Sequence, residues 1–261
     1  MSKFELYKHK NKSRQIYKYI SKYIRESLNY SHIYQRNYKE VFEKKSLAKN
    51  IKNLNHNGAL LPKNQLNVSF FEIFENFKPI LKKYISEKSL IHFPIIIRLN
   101  NILANKNNKY SSKHPHLDSW AGQPMKSRIL SFNVFSTSSS PTLEILELKK
   151  NVKIPLSKQK KYKGMINVKD CKTLYKSKKG DVIITGPGVL HKTSKGNTFR
   201  VTLECRFIRK KDVSKRDEKK FINFYFSNKK FFNINKNNTI ILTPFNQIAK
   251  SRFGVDFKFK R

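Results

Sequence analysis

From about residue 90 the apolar residues of this chain stop recurring at helical spacing. They come instead in short runs broken by turn residues. Residues 93–99 hold the run Phe93-Pro94-Ile95-Ile96-Ile97, which Arg98 interrupts. Residues 128–137 carry Ile129, Leu130, Phe132, Val134 and Phe135, and 142–148 carry Leu143, Ile145, Leu146 and Leu148. Residues 181–185 and 199–208 complete the series, with Gly180-Asp181 and Gly186-Pro187-Gly188 as punctuation. Period-2 runs of this length, repeatedly interrupted by turns, predict an antiparallel sandwich or jelly roll.

The first third reads differently. In residues 1–60, Ile16, Tyr19, Ile20, Tyr23 and Ile24 fall at helical spacing among Lys, Tyr and Asn, predicting one or two surface helices. Residues 68–86 have a stronger helical period (Ile73, Phe74, Phe77, Ile80, Leu81) and are expected to pack on the barrel. Residues 149–179 form a Lys-rich excursion read as a loop or lid, and 213 to about 226 reads as helical. The organisation expected is a Lys/Tyr-rich helical extension over 1–65, a jelly-roll catalytic core over 66–212, and a helical or irregular segment over 213–261 packing on the core. No internal repeat is visible.

The formal charge of +39 invites a nucleic-acid reading, because clustered cations neutralise phosphates. Its make-up weakens that reading: 45 Lys stand against 11 Arg, and Arg is the usual reader of base edges and phosphate forks. Abundant Lys, Asn, Ile and Phe are what an A/T-rich coding sequence produces whatever the protein does. Two cysteines, Cys171 and Cys205, make neither a disulfide framework nor a zinc ribbon. No apolar run reaches the ~18 residues of a membrane span, and no secretory h-region follows Met1. A soluble cytoplasmic protein is the expectation.

The chemistry concentrates in Lys113-His114-Pro115-His116-Leu117-Asp118-Ser119-Trp120. Residues two apart on an extended strand share a face, so the His116 imidazole and the Asp118 carboxylate can converge on one point. His191 follows downstream, at the end of the strand predicted before it. Two imidazoles and one carboxylate on a facial triad leave open positions that suit Fe(II) with a chelating co-substrate and O2. Arg200 lies nine residues beyond His191, with Thr202 two residues further on. A buried guanidinium fork beside a hydroxyl is suited to a dicarboxylate. Arg206 shares that strand face and is the rival anchor, while His114 is a rival metal ligand.

His116-Leu117-Asp118, Gly180-Asp181-Val182-Ile183-Ile184, His191 and Arg200-Val201-Thr202 together resemble the iron- and 2-oxoglutarate-dependent oxygenase superfamily, most closely its phytanoyl-CoA dioxygenase-like group. His116 through Pro124, followed by Asn133, is similar to members from carbohydrate and antibiotic biosynthesis clusters. The resemblance spans about 90–210. It implies a mainly β protein, a double-stranded β-helix (jelly roll, cupin-like) with flanking helices from the N-terminal third. It implies Fe(II) on His116, Asp118 and His191, 2-oxoglutarate on Arg200 and Thr202, and O2 as oxidant. A carboxylate at Asp118 leaves no site for a halide, so hydroxylation or desaturation is expected over halogenation.

Arg98 is expected either to contact substrate or oxoglutarate or to cap the barrel rim. Gln123 and Asn133 are expected either to face the pocket or to serve structural hydrogen bonds, Trp120 either to wall the pocket or to pack, and Glu144 to face solvent. The substrate expected is a small metabolite such as a sugar or a secondary-metabolite intermediate, with no membrane partner. The alternative from another class is a non-enzymatic nucleic-acid-binding protein using the basic Lys/Tyr-rich surface.

Overall fold

A computed structural model describes residues 4–27, 59–60, 68–86, 88–92, 95–100, 111–149, 153–215, 222–223, 232–234 and 240–242. The chain begins with β1 (Glu5–Lys8), α1 (Lys10–Ser27), β2 (Ala59–Leu60) and α2 (Val68–Tyr84). The strands β3 (Ser89–Ile91), β4 (Ile96–Asn100), β5 (Arg128–Phe135), β6 (Leu143–Leu148), β7 (Cys171–Lys176), β8 (Asp181–Thr185), β9 (His191–Thr193) and β10 (Arg200–Arg209) follow. Short strands β11 (Ile222–Asn223), β12 (Phe232–Ile234) and β13 (Ile240–Leu242) complete the described residues, β12 pairing with β13.

All strand pairs among the described residues are antiparallel. The larger sheet runs β1-β8-β5-β10, and β4 and β3 lie end to end along the far side of β10. The smaller sheet runs β7-β6-β9, and His116 extends it through a single bridge to His191. From β5 onward the chain passes from the larger sheet to the smaller (β6, β7), back (β8), across (β9) and back again (β10). That winding is a double-stranded β-helix, the jelly roll expected from the strand spacing.

Period-2 alternation decides what each face of the larger sheet does. Ile97 and Leu99, Leu130, Phe132 and Val134, Val182 and Ile184, and Val201, Leu203, Cys205 and Phe207 face outward into the main core. The helices cover that face: α1 buries Ile16, Ile20 and Tyr23, and α2 buries Ile73, Phe74, Phe77, Ile80 and Leu81. These are the i, i+3, i+4 stripes that an amphipathic helix presents to a sheet. The intervening residues, Arg98 and Asn100, Ile129 and Ser131, Arg200, Glu204 and Arg206, face the space between the sheets.

Several elements differ from expectation. Residues 5–8 are an edge strand on β8, and α1 places Ile16, Ile20 and Tyr23 in the main core, so residues 5–23 complete the larger sheet and pack on its outer face. Residues 171–176, read as part of a loop, are β7 on the edge of the smaller sheet. An edge strand exposed along most of its length needs no apolar alternation, so CKTLYK gave no strand signal. Within the stretch read as a C-terminal helix, residues 222–223 form a strand on β3; 216–221 and 224–226 lie outside the described residues. His191 does not end a larger-sheet strand. Gly186-Pro187-Gly188 carries the chain across to the smaller sheet, and His191 opens β9. Glu144 does not face solvent: it is buried on β6 between Lys192 (3.1 Å) and Lys176 (3.5 Å), which lie directly across from it on the two neighbouring strands.

Two glycines mark close approaches. At Gly180 (φ +86°), before β8, a Cβ would stand 3.0 Å from the Lys10 Cα at the start of α1. At Gly196, before β10, a Cβ would fall 2.2 Å from the Pro141 nitrogen, so only glycine lets the 194–199 turn cross the 137–141 loop. There Ser140 Oγ donates to the Phe199 carbonyl at 2.6 Å, fixing the entry into β10.

Candidate metal centre and its cavity

His116 and His191 are joined by reciprocal backbone hydrogen bonds, His116 N–H to the His191 carbonyl (2.9 Å) and His191 N–H to the His116 carbonyl (3.1 Å). The bridge brings the rings to 4.3 Å between centroids. Beyond Leu117 the chain turns into a short 3-10 helix, Asp118–Ala121, held to the crossover by Ser119 N–H on the Pro187 carbonyl (3.0 Å). Asp118 is therefore delivered by a turn and not by the extended strand expected. Its Oδ2 lies 3.9 Å from His191 Nε2.

One ligand atom from each of His116, Asp118 and His191 lies within 4.8 Å of the others, and these three are the only such cluster of His, Cys, Asp and Glu found among the described residues. Each imidazole is oriented by its far nitrogen: His116 Nδ1 meets the His114 carbonyl at 2.8 Å, and His191 Nδ1 meets the Val189 carbonyl at 2.9 Å. A carbonyl only accepts, so both Nδ1 atoms carry the proton and both Nε2 lone pairs are left for an ion. His114 thus contributes its carbonyl to the ligand's support, while its ring stays outside the cluster.

The charge states match. Burial pushes His116 down to about 3, with His191 adding to the effect and Asp118 opposing it, so its imidazole is neutral at ordinary pH. Burial works against ionisation of Asp118, but His191, Arg206, His116 and Arg98 outweigh it and hold the carboxyl below its usual range. Imidazole nitrogens and a hard carboxylate are the donor set of an exchangeable divalent metal.

The cluster opens on a cavity of about 140 Å3 between the two sheets. Arg98, Asn100, Arg200, Glu204 and Arg206 line its larger-sheet wall; Leu143, Ile145, His191 and Thr193 line the opposite wall. Arg98 is committed to Glu204, donating from Nε (2.6 Å) and Nη2 (2.7 Å) to the two carboxylate oxygens. This is a bidentate pair between neighbouring strands. Of the two roles expected for Arg98, the rim cap does not describe this: it lines the cavity and neutralises a carboxylate there.

Arg200 is buried, and burial pushes it down to about 10, still cationic at neutral pH. Asn100, opposite it on β4, turns its amide oxygen toward Nη2 and Nε, while Nη1 has no partner. Thr202 Oγ1, buried two residues on, is likewise unpartnered, as is Arg206 Nε. Three buried donors along one strand are thus without a hydrogen-bond partner among the described residues.

Asn133 turns elsewhere: its amide donates to Ser177 Oγ and Ser136 Oγ (3.2 Å each), tying β5 to the turn before β8, and it does not line the cavity. Trp120 packs with Leu117, Leu146, Tyr162 and Leu190 and donates from Nε1 to the Pro155 carbonyl at 2.6 Å; it too stays off the cavity wall. Gln123 is half-buried and lines no part of it. Sequence reasoning missed Tyr162, whose ring stacks on His116 (4.8 Å, 5° between planes). No spacing signal marks a tyrosine in a polar loop. It also missed Asn100 and Glu204, which a two-residue step from Arg98 and Thr202 would have reached.

Fold and donor set together define a jelly-roll protein with a two-histidine, one-carboxylate metal centre. No family profile matches the chain, and no curated protein matches it by sequence. Solved structures do. The non-heme monooxygenase ThoJ, in its Ni complex, matches at 10% identity over 80% of this chain and 74% of that one, with a TM-score of 0.37. The non-heme alpha ketoglutarate dependent epimerase SnoN from nogalamycin biosynthesis matches at 10% identity over 79% and 78%, with a TM-score of 0.40. EvdO2 from Micromonospora carbonacea var. aurantiaca, complexed with 2-oxoglutarate, matches at 13% identity over 52% and 59%, with a TM-score of 0.31. At such distances the chemistry has to be read from the side chains of this chain.

Proposed function

We propose that the chain is an Fe(II)- and 2-oxoglutarate-dependent oxygenase that hydroxylates or desaturates a small metabolite. The observation that carries this reading is the convergence of His116, Asp118 and His191, with both Nε2 atoms freed by Nδ1 bonds to backbone carbonyls. Such a facial triad holds Fe(II) and leaves three positions open, and the bound metal with oxoglutarate supplies the oxidising power to attack a C–H bond.

The chain's own residues do the rest. Arg200 Nη1 and Thr202 Oγ1, both buried and unpartnered, are the donors that would take the distal carboxylate of oxoglutarate. Asn100 holds the guanidinium so that its free edge faces the cavity. Glu204 neutralises Arg98, so the wall between the anchor and the metal is charge-balanced. Tyr162 and the loop that carries it cover His116 and keep water from that side of the site. Asn133 belongs to the supporting framework in this reading, and Arg206 is left without an oxoglutarate role.

The test is succinate formation from 2-oxoglutarate under aerobic conditions with Fe(II). Turnover that is abolished in His116→Ala and Asp118→Ala supports the reading. A chain that consumes no oxoglutarate but binds single-stranded nucleic acid in a salt-dependent way refutes it in favour of the basic-surface alternative.

A further inference from the structure

Arg206 is the one cavity arginine that the reading above leaves unused. It lines the same cavity as the metal cluster, and it makes no side-chain hydrogen bond or ion pair among the described residues. Its Nε is fully shielded from solvent and unpartnered. The backbone around it is fixed: its carbonyl accepts from His92 N–H at 2.8 Å, and it sits opposite Ile129 in the β10–β5 register. Its charge acts on the carboxylates of Asp118 and Glu204 without a hydrogen bond to either, so an anion entering the cavity meets a guanidinium with its donors still available.

Arg206 and Arg200 lie six residues apart on one strand face, which separates their Cα atoms by about 20 Å at the rise of an extended strand. Between them stands the Arg98–Glu204 pair, which closes off the wall from either side. In the reading above oxoglutarate is held by Arg200 and Thr202 at one end and by the metal at the other, which leaves the Arg206 guanidinium to a second anion. Arg206 also acts on the Asp118 carboxylate more strongly than Arg98 does, in keeping with its place on the wall of the cavity that holds the metal cluster.

The outside of the site carries the same sign. Residues 149–179 contain 12 Lys and a single acidic residue, Asp170. The described part of this excursion packs directly on the metal segment, through Tyr162 on His116 and through Gln159 N–H on the Trp120 carbonyl (3.1 Å). Lys158, Lys160, Lys161 and Lys163 stand exposed around it. Cations at the rim raise the local concentration of anions and speed their entry.

We infer that the substrate is a small anion, a carboxylic acid or a phosphate ester, whose charged end pairs with Arg206 while oxoglutarate occupies Arg200. This rests on the oxygenase reading for the second half of the statement. The pairing with Arg206 stands on the cavity alone.

The experiment is calorimetric titration of the Fe(II)-loaded chain, saturated with 2-oxoglutarate and kept anaerobic. The probes are benzoate and phenyl phosphate, with benzamide as their neutral counterpart. One benzoate or phenyl phosphate is expected per chain, the stronger of the two giving the class of acid, and benzamide at least about tenfold weaker. Arg206→Gln is expected to cost the anion at least about tenfold and to leave oxoglutarate affinity within about twofold, with Arg206→Lys recovering part of the loss. The inference is overturned if no saturable anion binding occurs, or if benzamide binds as well as benzoate. It is equally overturned if Arg206→Gln weakens oxoglutarate as much as Arg200→Gln does. Should the metal-loaded chain fail to bind oxoglutarate at all, the oxygenase reading falls separately. The anion titration without oxoglutarate still reads the site: two anions per wild-type chain and one in Arg206→Gln sustain it, and equal stoichiometry overturns it.

Discussion

Among the histidines that burial holds down, His116 is shifted furthest, and acidifying the metal-free chain destabilises it through that ring. Burial holds His116 down at about 3, against 6.5 for an ordinary histidine. The unfolded chain therefore takes up this proton first, and between those two values protons favour unfolding. The stability that His116 contributes as a neutral ring is complete above about pH 6.5 and declines by about 1.4 kcal/mol for each pH unit below it. At about pH 5 the loss is about 2 kcal/mol, or about 4–8 °C in Tm for a chain of this size. His116→Gln has nothing to titrate there. Denaturant midpoints for the metal-free wild type and the variant, at about pH 7.5 and about pH 5, should show the wild type losing about 2 kcal/mol more than the variant. Parallel pH dependences would refute the argument, because they would mean that the ring is solvated and that the site is not the closed one described.

Further consequences follow from the cavity wall and its supports. On the proposed reading Arg200 holds the distal carboxylate, so Arg200→Gln should raise the Kd for oxoglutarate about 10- to 100-fold while leaving metal affinity unchanged. Glu204→Ala strands the Arg98 charge in the cavity and should cost about 2 kcal/mol by denaturation, and an Arg98→Met/Glu204→Leu double variant should recover most of it. Gly196→Ala puts a Cβ into Pro141, so a loss of about 2 kcal/mol is expected, with weaker oxoglutarate binding because the entry to β10 shifts. Leu203→Ala opens the main core and should cost about 3 kcal/mol by denaturation with metal affinity unaffected.

What the sequence disclosed and what it hid divide along physical lines. Strands β5 and β10 are buried against helices on one face, so their alternation is strong, and β8 is a continuous apolar run buried on both faces, so all three were legible. β7 is an exposed edge, and β1 is four residues of mixed polarity, so neither carries a periodic signal. His116, Asp118 and His191 were legible as types at a spacing, although the geometry that unites them is a single bridge and a 3-10 turn. The Arg98–Glu204 pair joins residues 106 apart in the chain, and nothing local announces it. Glu144 looked solvent-facing because a lone carboxylate usually is; its burial depends on Lys176 and Lys192 arriving from two other strands. Asn133 looked like a pocket residue by its position on β5, and its amide is claimed by Ser136, three residues on, and by Ser177 from the turn before β8.

The most direct measurement of the central claim is anaerobic calorimetry of the metal-free chain with Fe(II), followed by 2-oxoglutarate. The account predicts one Fe(II) per chain, oxoglutarate binding that requires the metal, and loss of both in a folded His116→Ala variant. Oxoglutarate binding equally well without metal, or Fe(II) binding undiminished when His116, Asp118 and His191 are all replaced, would contradict it.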